Sequence, residues 1–337
     1  MEATSLPQLV PATLRAPSGH ARFLTTPVVR RDIWDFYKSM LASFWTVEEV
    51  DVSKDHDDFQ ALSPDAQYCV KQVLAFFAVA DGVVVSNLTE NFVQEVGLIQ
   101  ARFVYLTQSF MEAIHSEMYS LLLETLIPRT DERNELIATA TESAHITAKT
   151  DFALKYMNDR RPFAERLLAF AALEGIMFSS SFAVIYWLKT KGVMPGTCFS
   201  NELIARDEGM HRDFAIWLYN RDCEKLPSER VYDIVRESVA IEQRFVRECL
   251  RNGILGLNAD LMCQYVEFVA DHMLSNLDGV EKIFHRKNPL QYMELISLQG
   301  KTNFFEKRVG EYAKMNVAPS DADDKTKREL TFGDLDW

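Results

Sequence analysis

Along the chain, long stretches dominated by apolar residues alternate with short polar breaks. The apolar positions recur at the three- and four-residue spacing of a helix rather than the two-residue spacing of a strand. Ser63-Pro64 has the N-cap and first-turn chemistry of a helix start, and the pattern behind it predicts a helix through KQVLAFFAVADGVVVSNLTENF. Further helices are predicted over about 98–126, stopping before Pro128, over about 132–157, and after Pro162 through ERLLAFAALEGIMFSSSFAVIYWLKTKG, closed by Gly192. SNELIARDEGMHRDFAIWLYN, PSERVYDIVRESVAIEQRFVRECL and a segment from about 258 to 284 complete the series. No convincing strand alternation occurs. A helix of about 28 residues spans roughly 42 Å, so the expected fold is all-α, a bundle of long helices.

Composition supports this. Gly (13) and Pro (11) are both scarce, which favours long helices over sheets and turns. A net charge of −13 argues against a nucleic-acid or anionic-membrane partner, since either would want a basic face. The cysteines at 69, 198, 223, 249 and 263 are odd in number and lack CxxC spacing, the usage of a reduced, cytoplasmic protein. The N-terminus has no apolar signal core. Residues 1–27 read as a flexible arm and 314–337 as a solvated tail, with the helical domain over 28–313 between them.

Leu167–Leu188 carries one charge, Glu174, and must be tested as a membrane span. Glu174 near the bilayer centre would cost several kcal/mol, and no comparable second span is present. The favoured reading is a central helix wrapped on all sides by others. That leaves Glu174 to be explained.

The explanation is a repeat. Asp81 is the only charge in LAFFAVADGVVV; 31 residues later comes Glu112, with His115 three further on. Glu174 is the only charge in Leu167–Leu188; 34 residues later comes Glu208, with His211 three further on. Two such helix pairs would bring four carboxylates and two imidazoles to the middle of one four-helix bundle. This is the ligand set of ferritin-like dinuclear carboxylate proteins, with Asp in place of one Glu. Two divalent ions would balance the four acids, whose burial unpaired would be prohibitive. Oxygen-rich ligation with two imidazoles suits iron or manganese better than zinc. A third Glu-x-x-His, Glu142 to His145, has no lone buried acid upstream and lies in polar TATESAHITAKT, so it reads as a solvated helix face. Tyr119, i+4 from His115, falls one turn along the ligand face.

The stretches SFWTVEEVDVSKD, AFFAVADG, MEAIHSEMYS, ALEGIMFSSSF, SNELIARDEGMH and GKTNFFEKRVGEY resemble the eukaryotic-type class I ribonucleotide reductase small subunit, over about residues 22–313. The resemblance implies two iron ions that react with O2 and oxidise Tyr119 to a stable radical, with manganese as the other metal the ligands suit. Phe178 and Phe182, at i+4 and i+8 from Glu174, resemble the apolar packing that shields such a radical. From sequence alone they are simply core. It further implies that the oxidising equivalent leaves through His115, Asp207 and Trp45, then Tyr312, to a cysteine of a separate large subunit. Asp207 also lies i−4 from His211, where a carboxylate orienting a ligand imidazole is chemically expected.

The last residues, LTFGDLDW, return apolar side chains (Leu330, Phe332, Leu335, Trp337) after a hydrophilic linker, the pattern of a peptide that folds onto a partner. By resemblance that partner is the large subunit, although the family commonly ends in Phe rather than Trp. A homodimer is expected. Two other classes remain: a dinuclear oxidase or hydroxylase acting on its own small substrate, needing neither Tyr119 nor the tail, and an iron-storage cage.

Overall fold

The computed structural model describes residues 10–157 and 161–293. Tyr312 and the terminal Leu330, Phe332, Leu335 and Trp337 lie outside the described residues. Among those described the structure is helical, with no strand beyond one isolated bridge between Ile254 and Leu257.

The helices are α1 (Arg31–Ala42), α2 (Asp55–Ala61), α3 (Pro64–Asn87), α4 (Val93–Glu95), α5 (Ile99–Leu126) and α6 (Thr130–Glu142). Then come α7 (Ala144–Met157), α8 (Phe163–Ala172), α9 (Ser179–Lys191), α10 (Pro195–Asp222), α11 (Ser228–Cys249) and α12 (Ala259–Ser275). A π-helical turn, Leu88–Phe92, joins α3 to α4, and a second, Leu173–Met177, joins α8 to α9. The sequence signals for starts and stops are used as expected. Ser63 Oγ accepts from Ala66 N at 3.3 Å, and Gly192 closes α9 in the left-handed conformation at φ 68°.

The predicted helix over 132–157 is broken in two. Ser143 is extended (ψ 121°), and its carbonyl accepts from both Ile146 and Thr147, which starts α7 as a separate helix. Glu142 and His145 therefore do not share a helix. His145 is also not on a solvated face, because it is half-buried, 2.9 Å from Gln72 Oε1 and 5.9 Å from the Phe245 ring. The predicted 258–284 helix stops at Ser275. Beyond it, the buried carboxylate of Asp271 collects the amides of Ile283, Phe284 and Arg286 and folds the chain back.

The described part of the expected flexible arm is anchored. Leu14 is fully buried, and its carbonyl accepts from Gly97 N at 2.8 Å and Leu98 N at 2.9 Å. The approach is so close that a Cβ on Gly97 would lie 2.3 Å from Ala16 N.

At the centre, α3 packs on α5, α10 packs on α8, and α10 also reaches α5. The other helices wrap this core. In Phe163–Lys191, 94% of the most apolar window is buried inside the protein, as expected for a central helix. Contrary to the sequence reading, a second segment, Pro64–Glu95, also passes the length and apolarity test for a span, with 61% of its window buried. Its apolar surface is likewise used in packing on α5.

The start of α10 is fixed from a distance. Asp55 of α2 is fully buried and accepts from Gly196 N (2.9 Å), Thr197 N (2.5 Å) and Thr197 Oγ1 (2.7 Å). It caps amides that the helix start leaves without partners. Asp55→Ala should lower stability to chemical denaturation by about 2–3 kcal/mol, since buried donors lose a charged acceptor. Asp55→Asn should lose less.

Candidate metal centre

The polar residues of the repeat are delivered by three helices and the π-turn after α8. α3 presents Asp81; α5 presents Glu112, His115 and Tyr119 along one face; α10 presents Asp207, Glu208 and His211. Glu174 sits in the π-turn between α8 and α9, where the extra residue changes the phase of the helix face. All of these side chains are buried.

The structure brings them together. Ligand atoms of Glu112, Glu174, Glu208 and His211 all lie within 4.8 Å of one another, a group that could hold a metal ion. Glu112 spans both imidazoles: Oε2 is 3.4 Å from His115 Nδ1, and Oε1 is 2.9 Å from His211 Nδ1. Glu208 does the same, with Oε1 at 3.1 Å from His115 Nδ1 and Oε2 at 3.6 Å from His211 Nδ1. Glu174 Oε1 accepts from Gln108 Nε2 at 2.9 Å and lies 4.0 Å from His211 Nδ1. Asp81 is close enough for the charges of Glu112, His115 and Glu208 to act on its carboxyl.

These contacts are not a satisfied hydrogen-bond network. Asp81 Oδ2, both oxygens of Glu112, Glu174 Oε2, Glu208 Oε2 and Nδ1 of both histidines are buried without a hydrogen-bond partner. Burial pushes the Asp81 and Glu174 carboxyls well above the usual range. Burial opposes ionisation of Glu112 too, but the two imidazoles outweigh it and bring that group to about 2. His211 is raised to about 10 by Glu112 and Glu208 against the effect of burial. Carboxylate oxygens and imidazole nitrogens, orphaned and converging, are a donor set that fits divalent cations of the iron or manganese type.

Around this cluster, Asp207 is placed differently from the spacing argument. It orients His115 rather than His211: His115 Nε2 is 3.3 Å from Asp207 Oδ2, across from α5 to α10. The same oxygen accepts from Trp45 Nε1 at 2.8 Å, and Arg206 holds Oδ1 at 3.1 and 3.0 Å. Burial works against the Asp207 charge, yet His115, Arg206 and Trp45 together keep its pKa below the usual carboxylate range. Trp45 is buried in the loop after α1, not on a helix, with its ring 6.1 Å from that of His115.

The family model "Ribonucleotide reductase, small chain" matches residues 22–289. The chain belongs to the ribonucleotide reductase small-chain family. It is 50% identical over 296 residues to the ribonucleoside-diphosphate reductase small chain of Vaccinia virus (strain Ankara), covering 88% of this chain and 92% of that protein. Identity to the Nicotiana tabacum small chain is 49% over 312 residues, covering 93% and 94%. Among solved structures, the Saccharomyces cerevisiae ribonucleotide reductase Rnr4 homodimer superposes with a TM-score of 0.76 at 31% identity, covering 89% of this chain and 91% of that one. The Streptococcus sanguinis dimanganese(II)-NrdF shares the fold, with a TM-score of 0.72 at 19% identity over 81% of this chain and 96% of that one.

Two residues of this small chain escaped the sequence reading. Tyr119 OH donates to Asn201 Oδ1 at 2.8 Å, and Phe77 stacks on the Tyr119 ring at 4.5 Å and 9°. Phe178 and Phe182 reach the tyrosine through Phe77, at 5.3 and 5.2 Å from its ring. Both missed residues had a signal, since Phe77 is i−4 from Asp81 and Asn201 is i−7 from Glu208. Metal analysis of Glu112→Ala and Glu208→Ala protein should show loss of bound metal, whereas His145→Ala should retain it. Full metal content in both glutamate variants would remove the cluster from consideration as the centre.

Proposed function

We propose that this chain is the radical-generating subunit of a cytoplasmic ribonucleoside-diphosphate reductase, with Tyr119 as the radical site. The observation that carries this is a fully buried phenol one helical turn from His115, set against a cluster of orphaned carboxylates and imidazoles. Asp81, Glu112, His115, Glu174, Glu208 and His211 would hold the metal ions, with Glu112 and Glu208 each reaching both histidines. The bound ions, iron in our reading, supply with O2 the one-electron oxidant that a tyrosine requires.

The protein's own groups do the rest. Burial raises the Tyr119 pKa well above its ordinary value, so the side chain is held as the neutral phenol. Asn201 fixes the direction of its hydroxyl hydrogen, and Asn201 is itself tied back through Nδ2 to Thr197 O at 2.9 Å. Phe77 stacks on the ring and Phe178 and Phe182 pack on Phe77, so that a neutral radical formed there would be shielded from water and soluble reductants. Asp207, accepting from both His115 and Trp45, joins the centre to an oxidisable indole in the loop after α1. The route outward then runs through Tyr312 to the large subunit, which the C-terminal Phe332, Leu335 and Trp337 would dock, with two copies of this chain forming the small-subunit homodimer.

Tyr119→Phe protein should bind iron and consume O2 yet show no stable tyrosyl signal by EPR. An unchanged signal would place the radical elsewhere. Deleting residues 331–337 should abolish ribonucleotide reduction with the large subunit while leaving metal loading and the radical intact. Trp337→Ala should weaken pairing by roughly 1–3 kcal/mol, the range for a buried aromatic anchor.

A further inference from the structure

Away from the metal centre, the core holds a second pair of charges that none of this chemistry uses. Lys149 of α7 and Glu242 of α11 are both fully buried, with Nζ 2.7 Å from Glu242 Oε2. The rings of Phe76 and Phe245 enclose the ammonium, at 3.5 and 3.8 Å from Nζ to the centroids. His145, one turn before Lys149, packs on the same Phe245 ring. The other oxygen, Glu242 Oε1, accepts from Ser180 N at 3.2 Å and also from Ser180 Oγ.

Ser180 is the second residue of α9, the helix that restarts after the π-turn Leu173–Met177 carrying Glu174. A helix start leaves amides without an i−4 carbonyl, and a π-turn holds one residue more per turn than an α-helix. Relaxing this one to regular helix would slip the phase by one residue, about 100° around the axis, and turn Glu174 away from the cluster. Gln108 restrains the carboxylate itself, and Ser179 Oγ bonds to Ile176 O at 2.6 Å within the turn. Glu242 grips the chain just beyond the turn, from another helix. A buried ion pair adds little net stability compared with apolar residues of similar size. Its use here calls for a positional reason, and the Ser180 contact supplies one.

We infer that Glu242, neutralised by Lys149, is a positioning residue that locks the π-turn in the register that aims Glu174 into the metal centre. This rests on the ligand role proposed for Glu174. Removing an outer partner that orients a ligand costs about 10–100-fold in metal affinity.

Two double variants of the full-length protein separate the Ser180 anchor from the charges. Lys149→Met with Glu242→Gln keeps an oxygen acceptor for Ser180, whereas Lys149→Met with Glu242→Leu removes it; neither leaves a lone buried charge. Metal-free protein is titrated anaerobically with Fe(II), and the stoichiometry and affinities are read. The Gln variant should bind two ions per chain within about twofold of the unsubstituted protein. The Leu variant should bind one ion normally and the other at least about tenfold more weakly. Normal binding of both ions by the Leu variant, or equal losses in the two variants, overturns the inference. If the Leu variant does not fold, Ser180→Ala decides: about threefold weaker binding of one ion supports the anchor, and unchanged binding overturns it. Glu174→Ala is titrated alongside. If that variant keeps both ions, it is the ligand assignment that fails, whatever the clamp does.

Discussion

Four carboxylates and two imidazoles inside an apolar helix bundle are tolerable only if they meet one another around a compensating charge. Each alone would be a buried polar group with no partner, at a cost of several kcal/mol. Together they form one site whose free nitrogens and oxygens converge. The architecture follows from that demand. The helices must be long enough to bring residues from α3, α5, the π-turn and α10 to one level, and apolar around it so that water does not enter. The outer helices cover the surfaces that this arrangement leaves.

The surroundings of the cluster extend it in two directions. Toward Tyr119 the environment is apolar and closed: Phe77 stacks flat on the ring, and Phe76 and Phe178 pack behind Phe77. Toward Trp45 it is polar and hydrogen-bonded. Asp207 takes His115 on one side and the indole on the other, and Arg206, also bound to Ser43 O, pins both the carboxylate and the loop that carries Trp45. On the function proposed above, the phenol that would hold an unpaired electron is sealed, and the carboxylate that would pass charge onward is hydrogen-bonded on both sides. This contrast in dielectric and bonding is what a small chain of this family needs if oxidising power is made in one place and used in another.

The two halves of the repeat are not equivalent in three dimensions. Asp81 projects from the regular helix α3, whereas Glu174 projects from a π-turn. A π-turn is seldom favourable in isolation and is found mostly at functional sites. Here it is bracketed by Gln108 on the Glu174 carboxylate and by the contact to Ser180 on the following helix. The asymmetry means that one carboxylate is set by ordinary helix geometry, while the other depends on contacts made by α5 and α11.

The all-α class, most helix boundaries and the meeting of Glu112, Glu174, Glu208 and His211, with His115 against two of them, were legible in the amino-acid pattern. Helix periodicity, cap chemistry and the rarity of charge in apolar helices are local properties, carried by residues a few positions apart. The break at Ser143 was not legible, because a serine whose carbonyl starts a new helix looks like any other serine in a polar stretch. Spacing alone also misplaced the partner of Asp207: it pointed to His211 on the same helix, whereas packing of α10 against α5 gave it His115, the neighbour that the family resemblance implied. Spacing puts Asn201 and Phe77 on the site face, but which residue each of them meets, and that Lys149 meets Glu242, was hidden for the same reason. Their partners lie 82, 42 and 93 positions away in the chain (201−119, 119−77 and 242−149). Sequence determined which groups had to be buried together, since their chemistry leaves them no other outcome. Only the tertiary structure decided which atom faces which, because that depends on how whole helices turn against one another.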